Sequence, residues 1–181
     1  MELEIDELLG LPAHPLIVHA VLALVPAAAI LTIVAALWPS ARRRVGWIGV
    51  LLAAAAVVSV WAAQGSGEKF EDRIEETQLV EDHTEIGEQL LTPTITLLVG
   101  AVLVTAYGRR DGRRPAMVRE PAEPAASTRG ATVVGVVVAA IAIATSGVAA
   151  VQVFRAGHSG AKAVWDETGK EGQERDNSGP G

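Results

Sequence analysis

Residues 15–39, PLIVHAVLALVPAAAILTIVAALWP, contain no Asp, Glu, Lys or Arg. Three further segments share this property, residues 45–64, 89–108 and 130–154. Each is about 20 to 25 residues long, the length that an α-helix needs to cross roughly 30 Å of hydrocarbon. A helix is favoured in lipid because it satisfies its own backbone hydrogen bonds. The sequence therefore predicts an all-α integral membrane protein, a bundle of four helices.

The charge-free segments also divide the chain into regions. We predict helices at about residues 15–39, 45–64, 86–108 and 130–155, within a transmembrane domain of residues 15–165. An acidic N-terminus, residues 1–14, precedes this domain, and a polar tail, residues 166–181, follows it and is expected to be disordered. Residues 1–10, MELEIDELLG, are acidic where a signal peptide is basic, so the first segment is predicted to be an uncleaved membrane helix.

The segment between the second and third predicted helices has a different pattern. Apolar residues and one histidine recur at helical spacing among many acidic residues, at Phe70, Ile74, Leu79, His83, Ile86 and Leu90. This pattern predicts a short amphipathic helix at the outer membrane surface, leading into the third span.

The charged residues indicate the orientation in the membrane. The loops at residues 40–44 and 109–129 contain nine of the fifteen basic residues but only three of the twenty-one acidic residues. Basic loops mark the cytoplasmic side of a membrane protein. We therefore predict a protein of the cytoplasmic membrane with both termini outside. The arginine-rich, proline-rich loop at residues 109–129 is expected to be largely unordered.

Composition and motifs exclude several kinds of chemistry. The chain has no Cys, which excludes disulfides, thiolate-bound iron–sulfur clusters and covalent c-type haem. It also has no P-loop, no glycine-rich dinucleotide fingerprint and no His-Glu-x-x-His sequence. The predicted environment is the lipid bilayer, and nothing in the pattern predicts a nucleic-acid partner.

All four histidines fall on the predicted outer side. His14 precedes the first helix, His19 lies about a turn and a half deeper, His83 leads into the third helix, and His158 follows the fourth. An imidazole inside the bilayer edge, such as that of His19, is costly without a partner. These four residues are therefore the candidate cofactor-binding and metal-binding residues, although each could instead form an ordinary hydrogen bond at the membrane interface.

A b-type haem is the leading cofactor for such a cluster. Neutral imidazole is its usual axial ligand, and helix bundles build such sites from facing helices. His19 with His83 is the first pair to test. The run Ala53–Ala56 and the segment Gly147–Ala150 could make room for the macrocycle, although small residues equally serve close packing of membrane helices. The predicted role is electron transfer or redox sensing, with a redox partner or another membrane protein.

Two alternatives remain open. The histidines could bind Zn²⁺ or copper together with a carboxylate such as Glu85. The chain could also be a structural or accessory membrane subunit without a cofactor. The sequence favours a non-enzymatic role, and an enzymatic one would depend on the cofactor.

Two segments are similar to a known family. Residues 14–26, HPLIVHAVLALVP, resemble the His-Pro-x-x-Val-His start of the bacterial domain-of-unknown-function family 2231, whose members are predicted four-helix membrane proteins. Residues 157–165, GHSGAKAVW, resemble the Gly-His-x-Gly segment after its last helix. The resemblance covers about residues 11–165 and implies that His14, His19, His83 and His158 are the family's functional positions. The chain departs from the family at Ala20 and Val21, where an aromatic residue and proline are usual, and in its acidic tail.

Overall fold

The structure, a computed structural model, describes residues 7–8, 11–71, 77–112 and 126–177. Five helices account for almost all of them: α1 (Ala13–Leu37), α2 (Pro39–Glu71), α3 (Gln78–Glu88), α4 (Leu91–Gly112) and α5 (Ala126–Asn177). Two strands of two residues each, β1 (Glu7–Leu8) and β2 (Leu11–Pro12), pair in antiparallel fashion before α1. The predicted all-α class is confirmed.

Four helical segments are long and apolar enough to cross a membrane. They are Ala13–Leu37, Pro39–Gly67, Gln78–Arg110 and Thr132–Lys162. The four predicted membrane helices are therefore present. Most of the predicted N-terminus, the middle of the arginine-rich loop at residues 113–125 and the last four residues of the tail lie outside the described residues.

A proline divides the predicted helix at 86–108. Pro93 has no N–H, and its ring conflicts with the carbonyl group four residues earlier, which favours a break at that point. The chain turns at Gln89 and Leu90, so that α3 ends at Glu88 and α4 begins at Leu91. The Leu90 carbonyl oxygen, at the break, accepts from the backbone N–H of Thr94 at 3.3 Å and from its hydroxyl at 2.8 Å.

Helix α3 lies where the sequence predicts a short outer helix. Thr77 caps its N-terminus, and the Thr77 hydroxyl accepts a hydrogen bond from the backbone of Val80. Val80 is buried, while the carboxylate-bearing residues are exposed: Glu81, Asp82, Glu85 and Glu88. Phe70 lies at the end of α2, and residue 74 lies outside the described residues.

Helix α5 is longer than the predicted fourth helix. It continues to Asn177, beyond residue 166 where the disordered tail is predicted to begin. Residues 166–177 contain no proline. Asp166 precedes Lys170 by four residues and Glu171 precedes Arg175 by four, a spacing of acid and base that favours a helix.

The helices pack as two hairpins. The first hairpin is α1 with α2, and the second is α3 and α4 with α5. Helix α1 packs against α2 and α5, and α4 packs against the same two helices, so that α1 and α4 lie diagonally opposite. The two hairpins therefore form the predicted four-helix bundle.

Small residues fill the centre of this bundle. Several alanines are fully buried: Ala28, Ala35, Ala53, Ala56, Ala142 and Ala149. Large apolar side chains such as Ile30, Leu51 and Phe154 are exposed on the outside. This inside-out distribution is typical of membrane helices, because lipid accommodates large side chains and small residues let the backbones approach closely.

Candidate functional site: an imidazole pair at one end of the bundle

The histidines lie at one end of the bundle, which we call the histidine end. It consists of the first turns of α1, the last turns of the span in α2, helix α3, and residues 154–162 of α5. The opposite end contains the arginines at the start of α2 and at the end of α4. There Arg109 lies over the Trp47 ring at 4.3 Å from its centroid, and Arg42 lies 5.8 Å from the Tyr107 ring centroid.

His14 is held by the end of α2. Its Nδ1 lies 3.1 Å from the Ala63 carbonyl oxygen and 3.1 Å from the Ser66 Oγ. The Ser66 hydroxyl itself donates to the Ala63 carbonyl oxygen at 3.1 Å. A carbonyl oxygen can only accept, so His14 Nδ1 carries the hydrogen and the neutral ring has its lone pair on Nε2.

Gly67 makes room for this ring. A Cβ atom at Gly67 would lie 3.1 Å from the Cε1 of His14, closer than ordinary van der Waals contact. The imidazole therefore packs directly against the backbone of α2, one residue after the serine that holds it.

His83 is held in the same way by α5. Its Nδ1 lies 3.0 Å from the Ser159 Oγ, and the ring also hydrogen-bonds to the backbone of Ala156. The Ser159 hydroxyl donates to the Ala156 carbonyl oxygen at 3.0 Å, so its oxygen accepts from His83 Nδ1. A Cβ atom at Gly160 would lie 3.0 Å from the Cε1 of His83.

The two held imidazoles lie at the same end of the bundle. His14 and His83 are both partly buried, they belong to different hairpins, and a charge on one ring would be felt by the other. We refer to these two residues as the imidazole pair. The tertiary structure therefore gives the first and third of the four predicted histidines the same kind of anchor at the same end of the bundle.

The other two histidines have different surroundings. His19 is exposed, and its Nδ1 donates to the carbonyl oxygen of Pro15 in its own helix at 2.6 Å. Five residues correspond to about 140° around a helix, so His19 and His14 face different directions. His158 is exposed and its ring stacks on Phe154, with 6.2 Å between the ring centroids.

Glu85, the predicted carboxylate ligand, lies in a surface cleft between α3 and α5. The cleft has a volume of about 420 Å³, and its lining includes Asp82, Glu85, Arg155, His158 and Lys162. Among the described residues, no group of three or more His, Cys, Asp or Glu side chains is placed to hold a metal ion. Glu85 therefore shares its surroundings with His158 and with basic side chains.

Sequence reasoning did not identify the residues that hold the imidazole pair. They are Ala63, Ser66 and Gly67 in α2, and Ala156, Ser159 and Gly160 in α5. The signal was present as the pattern Ala-x-x-Ser-Gly, which occurs at residues 63–67 and again at 156–160.

The small residues proposed to make room for a macrocycle lie either between packed helices or on the outer surface. Ala53, Ala56 and Ala149 are fully buried between helices, and Gly147 is exposed on the outside of α5. The three alanines therefore pack between helices, the alternative that the sequence left open, whereas Gly147 does not.

Comparison with known proteins places the chain in a family. No curated protein and no solved structure matches it. The family model described as "Predicted membrane protein (DUF2231)" matches residues 10–171, which include all five helices except the last turns of α5. The chain therefore belongs to the DUF2231 family of predicted membrane proteins.

Proposed function

We propose that the imidazole pair binds one b-type haem at the histidine end, for electron transfer or redox sensing. The observation that carries this proposal is the matched anchoring of His14 and His83. Each ring is held through Nδ1 by a serine hydroxyl, and each also hydrogen-bonds to the backbone of the alanine three residues before that serine.

Anchoring of this kind is usual for imidazoles that bind a metal. Such a histidine donates its other ring N–H to a carbonyl, carboxylate or water, which selects the tautomer and orients the ring. In His14 the hydrogen on Nδ1 puts the lone pair on Nε2, the nitrogen that would face the iron.

The number of ligands favours haem over a metal ion bound directly. The porphyrin supplies four nitrogens, so a haem needs only two axial ligands from the protein. Zinc takes three or four protein ligands. The imidazole pair supplies two, and a zinc or copper site would have to recruit further ligands such as Glu85 or His158 from the cleft beside α3.

An absorption spectrum of the full chain, purified in detergent after expression with excess haem precursor, tests the proposal. We expect a Soret band at about one haem per chain, because two axial ligands serve one iron. His14→Ala and His83→Ala should lose the band. His19→Ala and His158→Ala should keep it, and they are matched controls because both side chains are exposed.

A second pair of variants distinguishes loss of a haem ligand from misfolding of the protein. His14→Met and His83→Met keep an axial ligand but change its chemistry, and should raise the reduction potential of bound haem. A haem-free protein with stoichiometric zinc or copper, lost on His14→Ala, would replace haem with the metal alternative. A protein with neither, or with a band that survives both His→Ala variants, would overturn the proposed site and leave an accessory subunit.

A further inference from the structure

We propose that the chain is two copies of one two-helix unit, related by a pseudo-two-fold axis along the bundle, and that Ser66 and Ser159 are its matched positioning residues. Each serine acts through one histidine of the imidazole pair. The part of this inference that concerns cofactor affinity rests on the proposed function, whereas the duplication does not.

The ends of α2 and α5 have related sequences. Residues 58–67 read VSVWAAQGSG and residues 151–160 read VQVFRAGHSG. Five of these ten aligned positions are identical, and the pair Trp61 and Phe154 is aromatic at a sixth. The identical positions include the alanine, serine and glycine that contact each imidazole.

The same alignment relates the buried faces of α2 and α5. Four positions of α2 and their counterparts in α5 are all buried: Gly49 and Ala142, Ala53 and Ser146, Ala56 and Ala149, Val60 and Val153. The alignment was set by the Ala-x-x-Ser-Gly pattern alone, so the agreement between the buried positions is independent evidence for it.

Helix α1 corresponds to α3 and α4 when His14 is aligned with His83. Six positions are then buried in both: Val21 and Leu90, Val25 and Thr94, Ala28 and Leu97, Thr32 and Ala101, Ala35 and Val104, Ala36 and Thr105. A face of a helix is buried at intervals of three and four residues, so an alignment displaced by one or two residues would rotate the two faces apart. The histidines alone set this alignment.

The packing of the helices has the same symmetry. Exchanging the two hairpins replaces α1 with α4 and α2 with α5, and it converts the contact of α1 with α5 into the contact of α4 with α2. Both contacts are extensive, and α1 and α4 lie diagonally opposite. Both hairpins also begin at the histidine end, so the axis runs along the bundle.

The symmetry assigns equal roles to the two serines. In each copy, the serine hydroxyl accepts the Nδ1–H of the histidine and donates to the alanine carbonyl oxygen three residues earlier. A ligand on the axis would meet two equivalent imidazoles, one from each copy. Ser66 and Ser159 touch the histidines and would not touch the ligand.

The first test needs no cofactor. In the full chain with ¹⁵N-labelled histidine, the imidazole nitrogen shifts report the ring's tautomer and hydrogen bonds. We expect Ser66→Ala to alter the His14 signals alone and Ser159→Ala to alter the His83 signals alone by a similar amount. Ser66→Thr and Ser159→Thr, which keep the hydroxyl, should restore the wild-type signals, and Ser59→Ala in α2 should change neither ring.

The second test measures affinity for added haem b. Loss of a hydrogen-bonding group behind a metal-binding histidine weakens binding about 10-fold to 100-fold, so each Ser→Ala variant should weaken haem binding at least about 10-fold and by the same factor. Markedly unequal effects of the two variants, or a change in His83 on Ser66→Ala, would overturn the inference. If the shifts follow the expected pattern but no haem binds, the duplication stands and the proposed function fails.

Discussion

Arg42 donates from Nε to the Ala35 carbonyl oxygen at 2.6 Å and thereby replaces a hydrogen bond that the helix cannot make. The partner of this carbonyl in a continuous helix would be the N–H of residue 39, and residue 39 is a proline. The Arg42 Nη2 also donates to the Ala36 carbonyl oxygen at 3.0 Å. One side chain of α2 therefore closes the C-terminus of α1 at the turn between the two helices.

Removal of Arg42 should destabilise the bundle. We expect Arg42→Met to lower the free energy of unfolding in detergent by about 2 kcal/mol, because two carbonyl groups lose a charged donor. Arg43→Met removes an exposed side chain of the same kind and should change the free energy of unfolding by less than about 0.5 kcal/mol. Equal losses in the two variants would contradict the capping role.

Gly100 should tolerate no side chain. Its missing Cβ would overlap the Thr145 Oγ1 and lie 3.3 Å from the Cα of Ala142, so α4 would have to move away from α5. We expect Gly100→Ala to lower the free energy of unfolding by about 1 to 3 kcal/mol. Gly147 lies on α5 with nothing within 4 Å of its Cβ position, so Gly147→Ala should be neutral or stabilising by up to about 1 kcal/mol. The same denaturant titration compares both variants with the wild type, and a harmless Gly100→Ala would rule out the close contact.

The predicted orientation can be tested with introduced cysteines. The chain has no native Cys, so each variant carries a single thiol. A cysteine at Gln173 should react with a membrane-impermeant maleimide in intact cells, because basic loops place the termini outside. A cysteine at Ser40, beside the Arg42–Arg44 cluster, should react only after the membrane is permeabilised. The reverse pattern would invert the topology and put the histidine end on the cytoplasmic side.

The sequence indicated the position of His14 and His83 along the bundle, but not the similar anchoring of these two residues. The sequence indicated that both residues belong to one end of the bundle, because that follows from the order and length of four spans. It favoured His19 as the partner of His83, since His19 lies deeper in the predicted span. That choice depends on how α1 is rotated about its axis, and the apolar residues of α1 surround the helix on every side.

The break before Pro93 and the length of α5 were not predicted from the sequence. A charge-free segment indicates which part of a helix lies in hydrocarbon. It does not indicate how far the helix continues beyond the membrane. The turn at Gln89 and Leu90 and the extension of α5 to Asn177 arise from local chemistry at the ends of the spans. The positions at which these helices begin and end were therefore known only from the structure.

The amino-acid sequence by itself determined the number and order of the membrane helices, because a long charge-free segment satisfies its backbone in lipid as a helix. Its motifs at residues 14–26 and 157–165 indicated the family. Only the tertiary structure decided which faces meet, and hence that His14 and His83 are anchored alike while His19 and His158 are exposed. The physical reason is that a soluble helix marks its inner face with apolar residues, whereas a helix in lipid is apolar on both faces. The rotation of each helix then depends on small residues and a few hydrogen bonds, whose partners become visible only when the helices are packed.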